Sequence, residues 1–153
     1  MSDFSELDDW LQLLLSRLSA SQRLRVNRLV AQRLRQIQRD RIAAQQNPDG
    51  TAFAPRAPAL RQRRGSIVRR GAMFKKLRTA RHMKIKVTSD ELSVGFSGRS
   101  GAIAATHHYG ESRSAGRGRK YKTPSRRLLG FASKDMEEIG DIYLLAISTL
   151  ESS

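Results

Sequence analysis

His107-His108-Tyr109 is the first place in the sequence to look for metal binding or proton transfer. The alanine-rich run before it, 102–106, reads as a third short strand. On a strand, successive side chains leave opposite faces, so two adjacent histidines cannot easily share one metal ion. The remaining histidine is His82, and no carboxylate is expected to complete a ligand set with the pair. A structural or interface part is therefore expected for His107, His108 and Tyr109, rather than catalysis. Phe96-Ser97-Gly98-Arg99-Ser100-Gly101 only loosely resembles a nucleophile elbow and lacks its Gly-x-Ser-x-Gly spacing. Its glycines read better as a hairpin or loop end. No phosphate-binding P-loop and no paired-carboxylate constellation occurs. With no cysteine in the chain, thiolate zinc sites, disulfides and thiol nucleophiles are excluded. The sequence thus predicts no catalytic residue, no metal and no cofactor.

The second chemistry-bearing feature is charge. The chain of 153 residues carries a formal net charge of +15. Such an excess attracts nucleic acid, anionic lipid or an acidic protein face. It is unevenly spread: residues 1–16 contain Asp3, Glu6, Asp8 and Asp9 and no base, whereas 17–86 contain twenty Lys or Arg against Asp40 and Asp49. The densest part holds Arg61, Arg63, Arg64, Arg69, Arg70, Lys75 and Lys76. Phosphate contact needs such charges, because neutralised phosphates release their counterions. Phe74 is the one aromatic residue there, so base stacking is not expected. Contact with DNA regardless of sequence, or with acidic partner subunits, are both open readings.

The elements that must position these residues follow from periodicity. Leu7, Trp10, Leu11, Leu14, Leu15 and Leu18 recur at helical spacing, with Ser5 as a cap. Their apolar stripe suits a core, and Trp10 is a candidate for docking a partner. Ser19 and Gln22 have the form of a capping box, opening a second helix that runs to about Gln45. Asn47-Pro48-Asp49-Gly50 predicts a type I turn. Residues 46–71 read as an extended basic connector, with Pro55 and Pro58. Met73, Phe74 and Leu77 suggest a short helix over 72–81. Met83, Ile85 and Val87, then Leu92, Val94 and Phe96, alternate with polar residues and predict a hairpin. Residues 110–122 read as a mobile Gly/Ser/Arg/Lys loop. A closing helix is capped by Ser133 and carries Met136, Ile139, Tyr143, Ile147 and Leu150 on one face. The expected fold is a single α+β domain over 1–153: N-terminal helices (1–45), the connector, then a part (72–153) with a small antiparallel β-sheet and a C-terminal helix. The acidic N-terminus is unlike a secretory signal, and no apolar run spans a bilayer, so a soluble protein of the cytoplasm is expected, with no membrane partner.

Several segments, in order, resemble the phage virion morphogenesis family of contractile-tailed temperate phages. Met1 to Asp9 looks like the family's start. Asn47-Pro48-Asp49-Gly50-Thr51-Ala52-Phe53-Ala54-Pro55-Arg56 is similar to its "NPDGTPYAPR" turn, with Phe53 in the aromatic place. Met73-Phe74-Lys75-Lys76-Leu77-Arg78, Val94-Gly95-Phe96-Ser97-Gly98-Arg99 and Ile103 to Gly110 resemble its "MF-KLR", "VGF-GR" and "IA-VHQYG" segments. Pro124-Ser125-Arg126-Arg127-Leu128-Leu129-Gly130 resembles its "P-RPLLG" segment, with Arg127 in place of a proline. His108 likewise replaces a glutamine. The resemblance implies a structural virion protein without catalytic activity that finishes the head-proximal end of the tail and supports head joining. It implies a homo-oligomeric ring, such as a hexamer, touching tail terminator or tube proteins and the head connector. It implies a final place in the tail or neck of the virion. Trp10, Phe53, His107, His108, Tyr109, Leu128 and Leu129 are then interface candidates. The basic stretch is a candidate contact for phage DNA or acidic subunits. A basic nucleic-acid-binding module is the alternative, and a small nuclease or metal hydrolase centred on His107 and His108 a third.

Overall fold

The computed structural model describes residues 9–10, 12–13, 15–56, 71–114, 118 and 120–151. Residues 9–10, 12–13 and 15–16 are helical. Three longer helices follow: α1 (Ala20–Ala43), α2 (Gly98–Tyr109) and α3 (Ser133–Glu151). Two antiparallel hairpins accompany them, β1 (Met83–Val87) with β2 (Leu92–Phe96), and β3 (Ser112–Ser114) with β4 (Lys120–Lys122). The fold is α+β, as expected, with helices at both ends. The chain divides into two compact units: Met1–Gln36 with Ile85–Val94 and Ser133–Ser153, and Ile37–Lys84 with Gly95–Ala132.

The ends of α1 follow from its sequence. Ser19 Oγ accepts the Gln22 N–H at 3.3 Å, and Gln22 Oε1 accepts the Ser19 N–H at 2.8 Å, a reciprocal capping box. At the other end Gln45 adopts φ 59°. Gln46 N–H then donates to Arg41 O at 3.2 Å and Gln45 N–H to Ile42 O at 3.1 Å, the Schellman pairing that satisfies the last carbonyls. A left-handed glutamine is strained, but its side chain offsets this by gripping Met73: Oε1 accepts Met73 N–H at 2.7 Å and Nε2 donates to Met73 O at 3.0 Å.

In the first unit, Leu18, Val26, Val30, Tyr143 and Ile147 form the core, flanked by Leu15, Leu92, Ile139, Ile142, Ala146 and Leu150. The α3 residues in this set recur every three or four positions, which places them on one face. Asn27 is buried among them and fully used. Its Nδ2 donates to the carbonyls of Thr88 and Ser89 at 3.0 and 3.1 Å, and its Oδ1 accepts the Tyr143 hydroxyl at 2.8 Å. One amide thus ties α1 to the β1–β2 turn and to α3. Burial pushes the Tyr143 phenol above its ordinary range.

In the second unit, Ile42, Phe53, Leu77, Met83, Ala104 and Leu128 are buried. The predicted turn forms: Gly50 N–H donates to Asn47 O at 2.9 Å, with Gly50 at φ 84°, and Gln46 bridges Ala52. The Thr51 hydroxyl and N–H on Asp49 hold that carboxyl below its usual range. Gln38 is buried and pairs with both backbone groups of Gly130.

Three expectations are corrected here. Residues 102–106 are not a strand but the middle of α2. Their alanines favour helix over strand, and Gly101 lets the helix approach Phe96, whose carbonyl oxygen would lie 3.0 Å from an added Cβ. Residues 73–82 form consecutive turns rather than a helix, because Phe74 takes φ 65° and breaks the helical run. Within 110–122, Ser112 pairs with Lys122, Arg113 with Tyr121 and Ser114 with Lys120, so a hairpin replaces the expected loop. Ser5, residues 57–70 of the 46–71 connector and the stripe residues Leu7, Leu11 and Leu14 lie outside the described residues.

Candidate functional site

The second unit brings four of the motif-bearing segments to one place. Arg126 is buried, yet its guanidinium faces backbone rather than a carboxylate. Its Nε donates to Ala54 O and its Nη2 to Pro55 O, both at 2.7 Å, and its Nη1 donates to His107 Nδ1 at 3.3 Å. A rigid planar fork suits such a cluster of acceptors in a way that an ammonium does not. Burial, with the nearby Arg56 charge, pulls the Arg126 pKa below its ordinary value. The His107 ring stands edge-on to Phe74 at 4.9 Å between centroids, and Phe74 stands edge-on to Phe53 at 5.8 Å. Burial and the Arg126 charge lower the His107 pKa, and burial with Arg127 lowers that of His108. Both shifts favour the neutral ring. As consecutive residues on α2 they diverge by about 100° around the helix, not by the half-turn expected of a strand.

This node forms one wall of a groove of about 990 Å³. Arg56, Lys75, Lys76, Arg99 and Arg126 line it, and among the described residues no carboxylate does. Met73, Phe74, Leu77, Ile103 and Pro124 also line it. His82 and Ser100 meet on its wall, Nδ1 to Oγ at 2.6 Å. A second groove in the same unit, of about 460 Å³, is mainly apolar and includes Phe96, His108, Tyr109, Leu129 and Phe131. The His108 and Tyr109 rings pack edge-on at 4.7 Å, and Tyr109 is 72% exposed.

The sequence-predicted residues therefore separate. His108, Tyr109 and Leu129 gather at the apolar groove, and His107, Lys75 and Lys76 at the basic one. Phe53 and Leu128 are buried, at 6% and 1% exposure, so they pack inside the unit rather than presenting a surface. Trp10 belongs to the first unit and is partly exposed. Arg61, Arg63, Arg64, Arg69 and Arg70 lie outside the described residues. Arg126, Arg99, Arg56 and Thr123 were not singled out from sequence. An arginine whose partners are carbonyls more than seventy residues away leaves no spacing signal, and only its position in the Pro124–Gly130 segment pointed to it. Among the described residues, no three His, Asp or Glu side chains gather as a metal site.

Comparison with known proteins gives one consistent result. The phage virion morphogenesis family matches residues 2–148. Tail completion protein S of Escherichia phage P2 is 39% identical over 147 residues, covering 94% of this chain and 97% of the relative. No solved structure matches the chain. A match along almost the whole length, through the turn, the Met73–Arg78 segment and the buried Arg126 node, places the chain in a family: it belongs to the phage virion morphogenesis family.

Proposed function

We propose that this protein is a non-enzymatic component of phage tail completion that supports stable joining of the tail to the head. The observation that carries the proposal is the end-to-end likeness to a relative named for tail completion, at 39% identity and with neither chain leaving a large unmatched part. The histidines that a hydrolase reading would use are engaged otherwise. His107 accepts a hydrogen bond from Arg126 and packs on Phe74, and His108 packs on Tyr109.

In this reading the protein assembles in the host cytoplasm as a ring of copies, such as a hexamer, and ends in the tail or neck of the virion. It contacts the tail terminator or tube and the head connector through its exposed grooves. The basic residues of 61–70 face phage DNA or acidic subunits. Among the described residues, no helix is long and apolar enough to cross a membrane. The net charge of +15 favours a second reading, a nucleic-acid-binding module. Binding of the purified protein to duplex DNA, falling steeply with salt, would support that reading. The direct test of the first is complementation in vitro. Purified protein added to a lysate lacking this gene should restore infectious particles, and no rise in titre would count against the proposal.

A further inference from the structure

Two exposed helix faces of the first unit carry opposite charge beside exposed leucines. On α1, Arg25, Arg28 and Leu29 lie on the side away from Val26 and Val30, which are buried in the core. Their spacing of three and four residues puts them on one face. On α3, Glu137, Asp141, Leu144 and Leu145 share a face by the same spacing, away from the buried Tyr143 and Ile147. All seven residues are exposed, Leu29 at 53% and Leu145 at 71%. Within the chain, Arg33 of α1 pairs with Glu138 of α3. The side chains of Arg25, Arg28, Glu137 and Asp141, by contrast, make no ion pair or hydrogen bond among the described residues.

A single exposed leucine or a solvated charge is ordinary. Here the two faces match each other in both respects. Arg25 precedes Leu29 by four residues, and Asp141 precedes Leu145 by four, about 6 Å along either helix axis. Two such helices set side by side and parallel bring Leu29 against Leu145 and Arg25 against Asp141. Arg28 and Glu137 then lie about one turn from that pair. We propose that the α1 face of one copy docks on the α3 face of a second copy of this chain. This deepens the self-assembly reading above and rests on it. Charge complementarity and the leucine match favour this occupant over DNA. A phosphate backbone would meet Arg25 and Arg28 but gain little from Leu29, and would leave Leu144 and Leu145 uncovered.

The test uses the full chain and reverses charge at these exposed positions. One variant carries Arg25→Glu and Arg28→Glu, a second Glu137→Lys and Asp141→Lys, and a third all four changes. Circular dichroism checks folding, and sedimentation equilibrium reads association. Wild type is expected to associate. Each two-site variant should associate at least about tenfold more weakly, because like charges then face each other, and the four-site variant should recover association by restoring opposite charges. Leu145→Gln, which changes no charge, should weaken association about fivefold or more and keeps the test decisive if a charge variant fails to fold. Wild-type association that a folded two-site variant or Leu145→Gln leaves unchanged would overturn this inference while leaving self-assembly standing. Weakening by both two-site variants without recovery in the four-site variant would also overturn it, since the charges would then meet different partners. Duplex DNA binding that Arg25→Glu with Arg28→Glu abolishes, with association unchanged, would name DNA as the occupant of the α1 face instead. A wild-type chain that stays monomeric would sink self-assembly itself, and the inference with it.

Discussion

Replacing Arg126 by methionine removes a side chain that joins the Ala54–Pro55 segment, the His107 ring and the Pro124–Gly130 segment. Two strong hydrogen bonds from a charged donor are lost, at 2.7 Å each, together with a longer one at 3.3 Å. Hydrogen bonds to a charged group contribute about 1.5–3 kcal/mol each, so the gross loss is roughly 3–6 kcal/mol. Two effects reduce it. Methionine does not carry a charge into the interior, which recovers some desolvation energy. Pro55 is exposed and Ala54 only half-buried, so water can reach the freed carbonyls. The expected net destabilisation is about 2–4 kcal/mol, which in a chain of this size lowers Tm by roughly 4–16 °C. Arg126→Lys should recover only part of it, because one ammonium cannot span acceptors set for a planar fork. The neighbouring Arg127 side chain is exposed, so Arg127→Met serves as control and should change stability by less than about 0.5 kcal/mol. Urea unfolding followed by circular dichroism measures all three. Equal stability of Arg126→Met and Arg127→Met would refute the reasoning.

Three further outcomes follow from the geometry. Burial holds the pKa values of both His107 and His108 below the ordinary histidine value of about 6.5. The unfolded chain therefore binds more protons just below that value, and stability should fall as pH drops from 7 through about 6.5 toward the lower folded values. His107→Gln should flatten that slope in thermal melts across the same window, and an unchanged slope would remove His107 from the account. Tyr143→Phe leaves the buried Asn27 Oδ1 without its donor and should cost about 1–3 kcal/mol in urea unfolding; a neutral result would mean that water replaces the hydroxyl. Gly130→Ala places a Cβ 2.5 Å from Pro48 Cγ and should cost about 1–3 kcal/mol by the same assay, whereas no loss would show that the turn yields freely.

The parts of the fold that were legible in sequence are those governed by local chemistry. Ser19 and Gln22 announce the start of α1, and Asn47 to Gly50 announce the turn, because their interactions close within a few residues. Alternation at Met83, Ile85 and Val87 gives the hairpin for the same reason. The errors arise where distant contacts decide. The 102–106 run is short and apolar and suits either strand or helix; Gly101 packing against Phe96 resolves it. Phe74 breaks the 72–81 helix through a left-handed backbone held beside Phe53, His107 and the Gln45 grip on Met73. The site was legible only in part. Lys75 and Lys76 were visible as charge and His107 as a chemical type. Arg126 matters through burial, which a single sequence does not display.

The central claim, a part in tail completion, is tested most directly by electron microscopy of lysates from a phage or prophage lacking this gene. The account predicts filled heads beside unattached tails, or tails of irregular length, with particle assembly restored by the gene supplied in trans. Normal, infectious particles in the deletion lysate would contradict it.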